Sequence, residues 1–157
     1  MPNKAYAILL HSEDEDNGYL YFPIKRADRI YGGMPQFFGG TKEGDETDWD
    51  TIAREMQEES DGKITLEKGG LNRIHTATNI KGDRYNFYVA ERYKGNHFLG
   101  PLNNQEMASI NAFFIQIGGE DDVEDLLQAL KIVPTEEFVK SETYTAFNKA
   151  IEWSEGE

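Results

Sequence analysis

A single helical signal set among strand-like runs limits the folds open to this chain. Between Thr47 and Ser60, the apolar residues Trp49, Ile52, Ala53 and Met56 recur at spacings of three and four, which marks one face of a 3.6-residue period. Thr47 or Asp48 can cap its start, and acidic side chains in the first turn face the positive end of the helix dipole. The segments on either side read as strands. The run 4–11 is short and apolar, Glu13 to Gly18 supplies a polar turn, and 19–24 is rich in aromatics, so a hairpin is expected there. Residues 71–80 and 85–93, parted by Lys81-Gly82-Asp83, give a second hairpin. A further strand is expected over 110–117. An amphipathic helix between strands must bury its stripe on the sheet they form.

After Gly118-Gly119 the period changes. Val123, Leu126, Leu127 and Leu130 predict a helix over 122–131, and Phe138, Phe147 and Ile151 predict another over 135–153. The expected fold class is α+β, a mixed sheet with helices packed on it. With 157 residues, no repeat and no linker-like stretch, one domain over 1–157 is expected, with C-terminal helices over about 120–154. Gly32-Gly33 and Gly39-Gly40 bracket the apolar stretch 34–38 and suggest close backbone approaches.

Charge and cysteine content remove several functions. The chain has no cysteine, which excludes disulfides, thiolate zinc sites and a cysteine nucleophile and suits a reducing cytosol, so a cytoplasmic location is expected. Its net charge of −13 repels a phosphate backbone, and no duplex nucleic acid partner is expected. The apolar run Ala5 to Leu10 is too short to span a bilayer, and no membrane partner is expected either. His11, His75 and His97 are dispersed without ligand spacing and read as structural.

Chemistry concentrates on the embedded helix. Glu55, Glu58 and Glu59 stand at i, i+3 and i+4 and share one face. Such like-charge pairs cost roughly 0.2–0.5 kcal/mol each on an exposed helix unless a cation sits among them. Glutamate-rich faces of acidic proteins are usually solvated surface. An all-oxygen set that does bind metal suits Mg²⁺ or Mn²⁺ better than zinc.

Context favours the metal. Gly40, five residues, Glu46, seven residues, then Arg54-Glu55-Met56-Gln57-Glu58-Glu59 reproduces the Nudix box, and the chain resembles a Nudix hydrolase from Gly40 to about Gly62. The resemblance implies an α/β/α sandwich with a central mixed sheet. It implies that Glu55, Glu58 and Glu59 bind divalent ions, that the Gly40 carbonyl adds a ligand, and that Arg54 and Glu46 pair to orient the helix. The activity implied is attack of water on a phosphorus of a nucleoside triphosphate or nucleoside diphosphate derivative, a small-molecule substrate. Glu55 is the first candidate for general base. Glu106 is the second, as base or further metal ligand. The alternative is a Nudix-like domain that senses nucleotide or binds a partner without turnover. Monomer and homodimer both remain open, and the lack of a long N-terminal extension disfavours the larger ADP-ribose hydrolases.

Two departures stand out. The family usually closes its box with Glu-Glu, one residue, Gly and an aliphatic residue, whereas this chain has Ser60-Asp61-Gly62-Lys63-Ile64, which predicts a reshaped helix end. Phe38 stands where proline commonly precedes the Gly-Gly pair. Lys25, Arg26, Arg29 and Lys42 could supply positive charge to phosphates but read first as surface partners. Phe22, Tyr31, Phe37, Phe38, Tyr85 and Tyr88 read as core before ligand shelf, and Asn79 and Ile80 lie where substrate selection would be sought first.

Overall fold

A computed structural model describes residues 3–95 and 98–156; the reading of His97 therefore lies outside the described residues. The elements, in order, are β1 (Lys4–Ser12), β2 (Asn17–Lys25), β3 (Phe38–Thr41), α1 (Asp48–Glu59), β4 (Ile64–Leu66), β5 (Leu71–Thr78), β6 (Arg84–Ala90), β7 (Tyr93–Gly95), β8 (Gly100–Pro101), β9 (Met107–Gln116), α2 (Val123–Ala129), α3 (Glu136–Val139) and α4 (Glu142–Gly156).

The described residues build a seven-stranded sheet in the order β5-β6-β1-β2-β9-β8, with β3 also paired to β1. β1 lies at its centre. It runs parallel to β6 and antiparallel to both β2 and β3, which share its other edge, so the sheet is mixed. β2 and β3 divide that edge: Ala5 faces Gly40 and Leu9 faces Tyr21.

Alternation along β1 sends side chains into two cores. Ala5, Ala7 and Leu9 pack with Phe38, Ile52, Met56, Ile64 and Ile110 beneath α1. Ile8 points the other way, into a cluster with Phe22, Phe37, Phe87, Val123, Leu126, Phe147 and Ile151 from the sheet and the C-terminal helices. Helices on both faces make the α/β/α sandwich. Ile52 and Met56 are fully buried, and burial of such side chains contributes roughly 1.5–3 kcal/mol apiece.

Local cues explain the helix starts. Thr47 caps α1 through a reciprocal capping box with Asp50, and Asp122 caps α2 in the same way with Asp125. The expected continuous helix over 135–153 is corrected to α3 and α4. Ser141 breaks it: its Oγ donates to the Phe138 carbonyl at 2.6 Å and accepts the Tyr144 N–H at 3.2 Å, ending one helix and starting the next. The strand expected over 85–93 ends at Ala90, and Tyr93 opens β7, which pairs with β4 in a separate two-stranded sheet. Among the described residues no helix is long and apolar enough to cross a membrane.

Candidate active site

β3 and α1 create the site by facing each other. Gly39 and Gly40 lie within the short strand that abuts the helix, and a side chain on each would meet a different obstacle. Gly39 has φ 149°, and a Cβ on it would meet the β1 backbone at Ala5 and Tyr6; a Cβ on Gly40 would overlap the Glu55 carboxylate. The carboxylate of Glu55 thus rests directly on the Gly40 backbone.

Glu55, Glu58, Glu59, Glu106 and Gly40 line one cavity of about 330 Å³, together with Glu43, Tyr6, Lys25 and Gln36. Glu59 is buried, Glu55 half-buried and Glu58 exposed, a gradient set by their fan of about 100° around the helix axis. Glu59 Oε1 accepts the Gly39 N–H at 3.0 Å. Burial, and then the charges of Glu55 and Glu106, push the Glu59 carboxyl well above its ordinary range, against the pull of that N–H and of Lys25. Burial also raises Glu55, opposed by Arg54.

Among the described residues no three acidic or imidazole side chains converge into a ready-made cage. The reasons are visible: Glu59 is engaged by Gly39, Glu55 lies 3.4 Å from Arg54 Nη1, and Glu106 is ion-paired to Arg29 and lies 3.9 Å from Lys25. Like charges at this density separate unless a cation draws them in. The donor set nonetheless fits a hard divalent cation. Its carboxylates are all oxygen donors, the backbone of Gly40 lines the cavity where a side chain would fill the space, and it holds a buried carboxylate in need of positive charge.

Arg54 and Glu46 do meet. Arg54 Nε and Nη2 donate to Glu46 Oε2 and Oε1 at 2.8 and 3.0 Å, and Nη2 also reaches the Thr41 carbonyl at 3.1 Å.

A second cavity of about 510 Å³ shares Tyr6, Lys25 and Gln36 with the first and is lined further by Lys4, Tyr31, Asn79, Tyr85 and Phe87. Tyr6 stacks on Phe87 with ring centroids 5.2 Å apart. Of the aromatic candidates, Tyr31 and Tyr85 line this cavity, Phe22, Phe37 and Phe38 are fully buried, and the Tyr88 hydroxyl donates to Asp48 at the start of α1. Asn79 lines it too, whereas Ile80 is fully exposed. Tyr6 and Gln36 carry no sequence signal for the site, while Lys25, which reads first as a surface partner and second as a charge for phosphates, has a side chain 17% exposed and reaches both cavities. The alternation of β1 could have flagged Tyr6 as a partner of Ile8 on one face. A larger cleft of about 670 Å³ lies between the Ser12–Asn17 turn and the end of α4, and it shares no residue with the carboxylate cavity.

This architecture is the Nudix hydrolase fold. A MutT Nudix hydrolase from Burkholderia pseudomallei superposes with a TM-score of 0.57 at 16% identity, covering 93% of this chain and 95% of that one. The Nudix hydrolase RenU from M. smegmatis gives 0.54 at 13% identity over 97% and 84%, and an ADP compounds hydrolase gives 0.51 at 13% over 96% and 72%. No family model and no curated protein matches the sequence.

Proposed function

We propose that the protein is a Mg²⁺- or Mn²⁺-dependent hydrolase of a diphosphate linkage in a nucleoside triphosphate or nucleoside diphosphate derivative. The observation that carries this reading is the gathering of Glu55, Glu58, Glu59 and Glu106 with the Gly40 backbone in one cavity that shares Tyr6, Lys25 and Gln36 with a second, aromatic-lined one. The fold shared with an ADP compounds hydrolase and with MutT-type hydrolases supports it. The Glu55, Glu58 and Glu59 carboxylates and the Gly40 carbonyl hold the ion, with Glu106 as a further ligand or base. Bound there, a divalent cation neutralises phosphate charge and makes a bound water more acidic.

The chain's own residues do the rest. Lys25, between the two cavities, supplies positive charge to phosphate oxygens. Tyr6 and Phe87 offer a stacked apolar wall, with Gln36 and Asn79 as hydrogen-bonding groups, for the organic part of the substrate. Glu55, raised by burial, is the first candidate to accept the proton of the attacking water. Arg54, paired with Glu46, fixes the helix against the Thr41 end of β3. We place the protein in the cytoplasm, acting on a small molecule as a single domain.

A panel of nucleoside triphosphates and nucleoside diphosphate derivatives, assayed for released phosphate or pyrophosphate with Mg²⁺ and with chelator, tests this. Metal-dependent release from at least one member is expected. Binding without release across the panel would instead favour a nucleotide sensor.

A further inference from the structure

The loop carrying Glu106 is fastened to the end of α1 by Asp61 and Asn104. Asp61 stands where the box normally ends in glycine, and it adopts φ 58°, a left-handed conformation that aspartate tolerates better than most residues. Glycine would hold that φ equally well. What glycine lacks is an acceptor: Asp61 Oδ2 accepts the Asn103 N–H at 2.7 Å and Oδ1 accepts Asn104 Nδ2 at 2.9 Å.

Asn104 extends the connection. Its Nδ2 also donates to the Glu59 carbonyl at 2.8 Å, while its Oδ1 accepts the N–H groups of Glu106 at 2.9 Å and Met107 at 2.7 Å. One carboxamide therefore joins the backbone of Glu59 to that of Glu106, two residues whose carboxylates line the same cavity. Arg26 braces the loop from the other side, through its N–H to the Glu106 carbonyl at 3.1 Å and its Nη1 to the Asn104 carbonyl at 3.0 Å. Neither Asp61 nor Asn104 lines the cavity, so each acts through Glu106.

We propose that Asp61 and Asn104 are positioning residues that hold Glu106 against the glutamates of α1 so that all serve one divalent cation. The departure at the box end is then a working part of the site. This rests on the metal-site reading above.

Two measurements test it. In the metal-free protein, amide exchange at Glu106 and Met107 should accelerate about tenfold or more in D61G and N104A, and less in D61N, which keeps an acceptor and suits the same φ. Unchanged exchange in D61G and N104A would overturn the clamp. In Mn²⁺ titrations followed by electron paramagnetic resonance, D61G and E106Q should each weaken binding about 10–100-fold, and the double variant should bind no more weakly than E106Q alone. Wild-type affinity in D61G, or effects that multiply in the double variant, would overturn the proposal. N104A leaves the left-handed Asp61 in place, losing only the Asn104 bonds, and substitutes for D61G if that variant fails to fold. A wild type that binds no Mn²⁺ at millimolar concentration rejects the metal-site reading itself, which exchange in the metal-free protein distinguishes from failure of the clamp.

Discussion

Arg54 holds Glu46 through two parallel hydrogen bonds, Nε to Oε2 at 2.8 Å and Nη2 to Oε1 at 3.0 Å, and the same Nη2 reaches the Thr41 carbonyl at 3.1 Å. Glu46 Oε1 also accepts the Glu43 N–H and the Thr51 hydroxyl, each at 2.9 Å. The pair therefore ties the residue after Gly40 to the first turns of α1 and sets the spacing between the Gly40 carbonyl and the glutamates.

Replacing Arg54 by lysine keeps the charge but loses the planar fork. We expect turnover to fall about 10²-fold in R54K, because small displacements in a site cost that much. Steady-state kinetics beside a melting curve will check it; a variant with wild-type turnover would show the fork to be dispensable.

The same pair makes a pH prediction. Arg54, and then the Glu43 N–H, hold the Glu46 carboxyl down at about 2 against its ordinary 4.5. A depressed folded value stabilises the fold above the unfolded value and ceases to do so as the pH falls through the folded one. The melting-temperature difference between wild type and E46Q should therefore be full above pH 4.5 and vanish toward pH 2.

Glu59 should show opposite effects on stability and activity. In E59Q the amide keeps an acceptor for the Gly39 N–H but has no charge to desolvate, so the metal-free variant should melt no lower than wild type at pH 7.5. Its hydrolysis, and that of E58Q, should fall by orders of magnitude. Thermal scans with and without Mn²⁺ separate these effects: metal should raise the melting point of wild type and barely move that of E59Q.

Gly40 tests the seating of Glu55. Its φ is not in the left-handed region, so alanine brings only the steric overlap with the Glu55 carboxylate. G40A should swing the Glu55 carboxylate aside at little cost in stability and lose metal affinity. G44A is the comparison, since a Cβ there meets nothing although φ is 54°; it should cost only backbone strain.

Glu155 gives a second pH signature, remote from the site. Burial, and then its hydrogen bond with Asp121, push its carboxyl up to about 7. A raised carboxyl binds protons more tightly in the folded state, so stability should decline as pH rises from about 4.5 to about 7 and level off above. The decline should be smaller in E155Q.

What could be read in advance followed the range of the interactions involved. The helix carrying Glu55, Glu58 and Glu59 was legible because capping by Thr47 and a 3.6-residue stripe are local properties, and the observed bounds, Asp48–Glu59, differ from the expected ones only at the caps. Tyr6, Lys25 and Gln36 line the same cavity because β1 pairs with β3 and the Ile24–Pro35 bridge sets the stretch before β3 against β2, which no local pattern contains. β4, β7 and β8 span two or three residues and carry no period to detect. The stripe running through Phe138, Phe147 and Ile151 concealed the break at Ser141, which depends on one hydroxyl. The altered box end is plain in the sequence, but its use depends on Asn103 and Asn104, more than forty positions on, which meet Asp61 only in the folded chain.

The most direct measurement is anomalous diffraction from crystals grown with Mn²⁺. The account predicts a peak in the cavity between β3 and α1, about 2.0–2.6 Å from carboxylate oxygens of Glu55, Glu58 and Glu59, with the Gly40 carbonyl in the same shell. Crystals with Mn²⁺ bound elsewhere, and these three side chains turned away from one another, would contradict it.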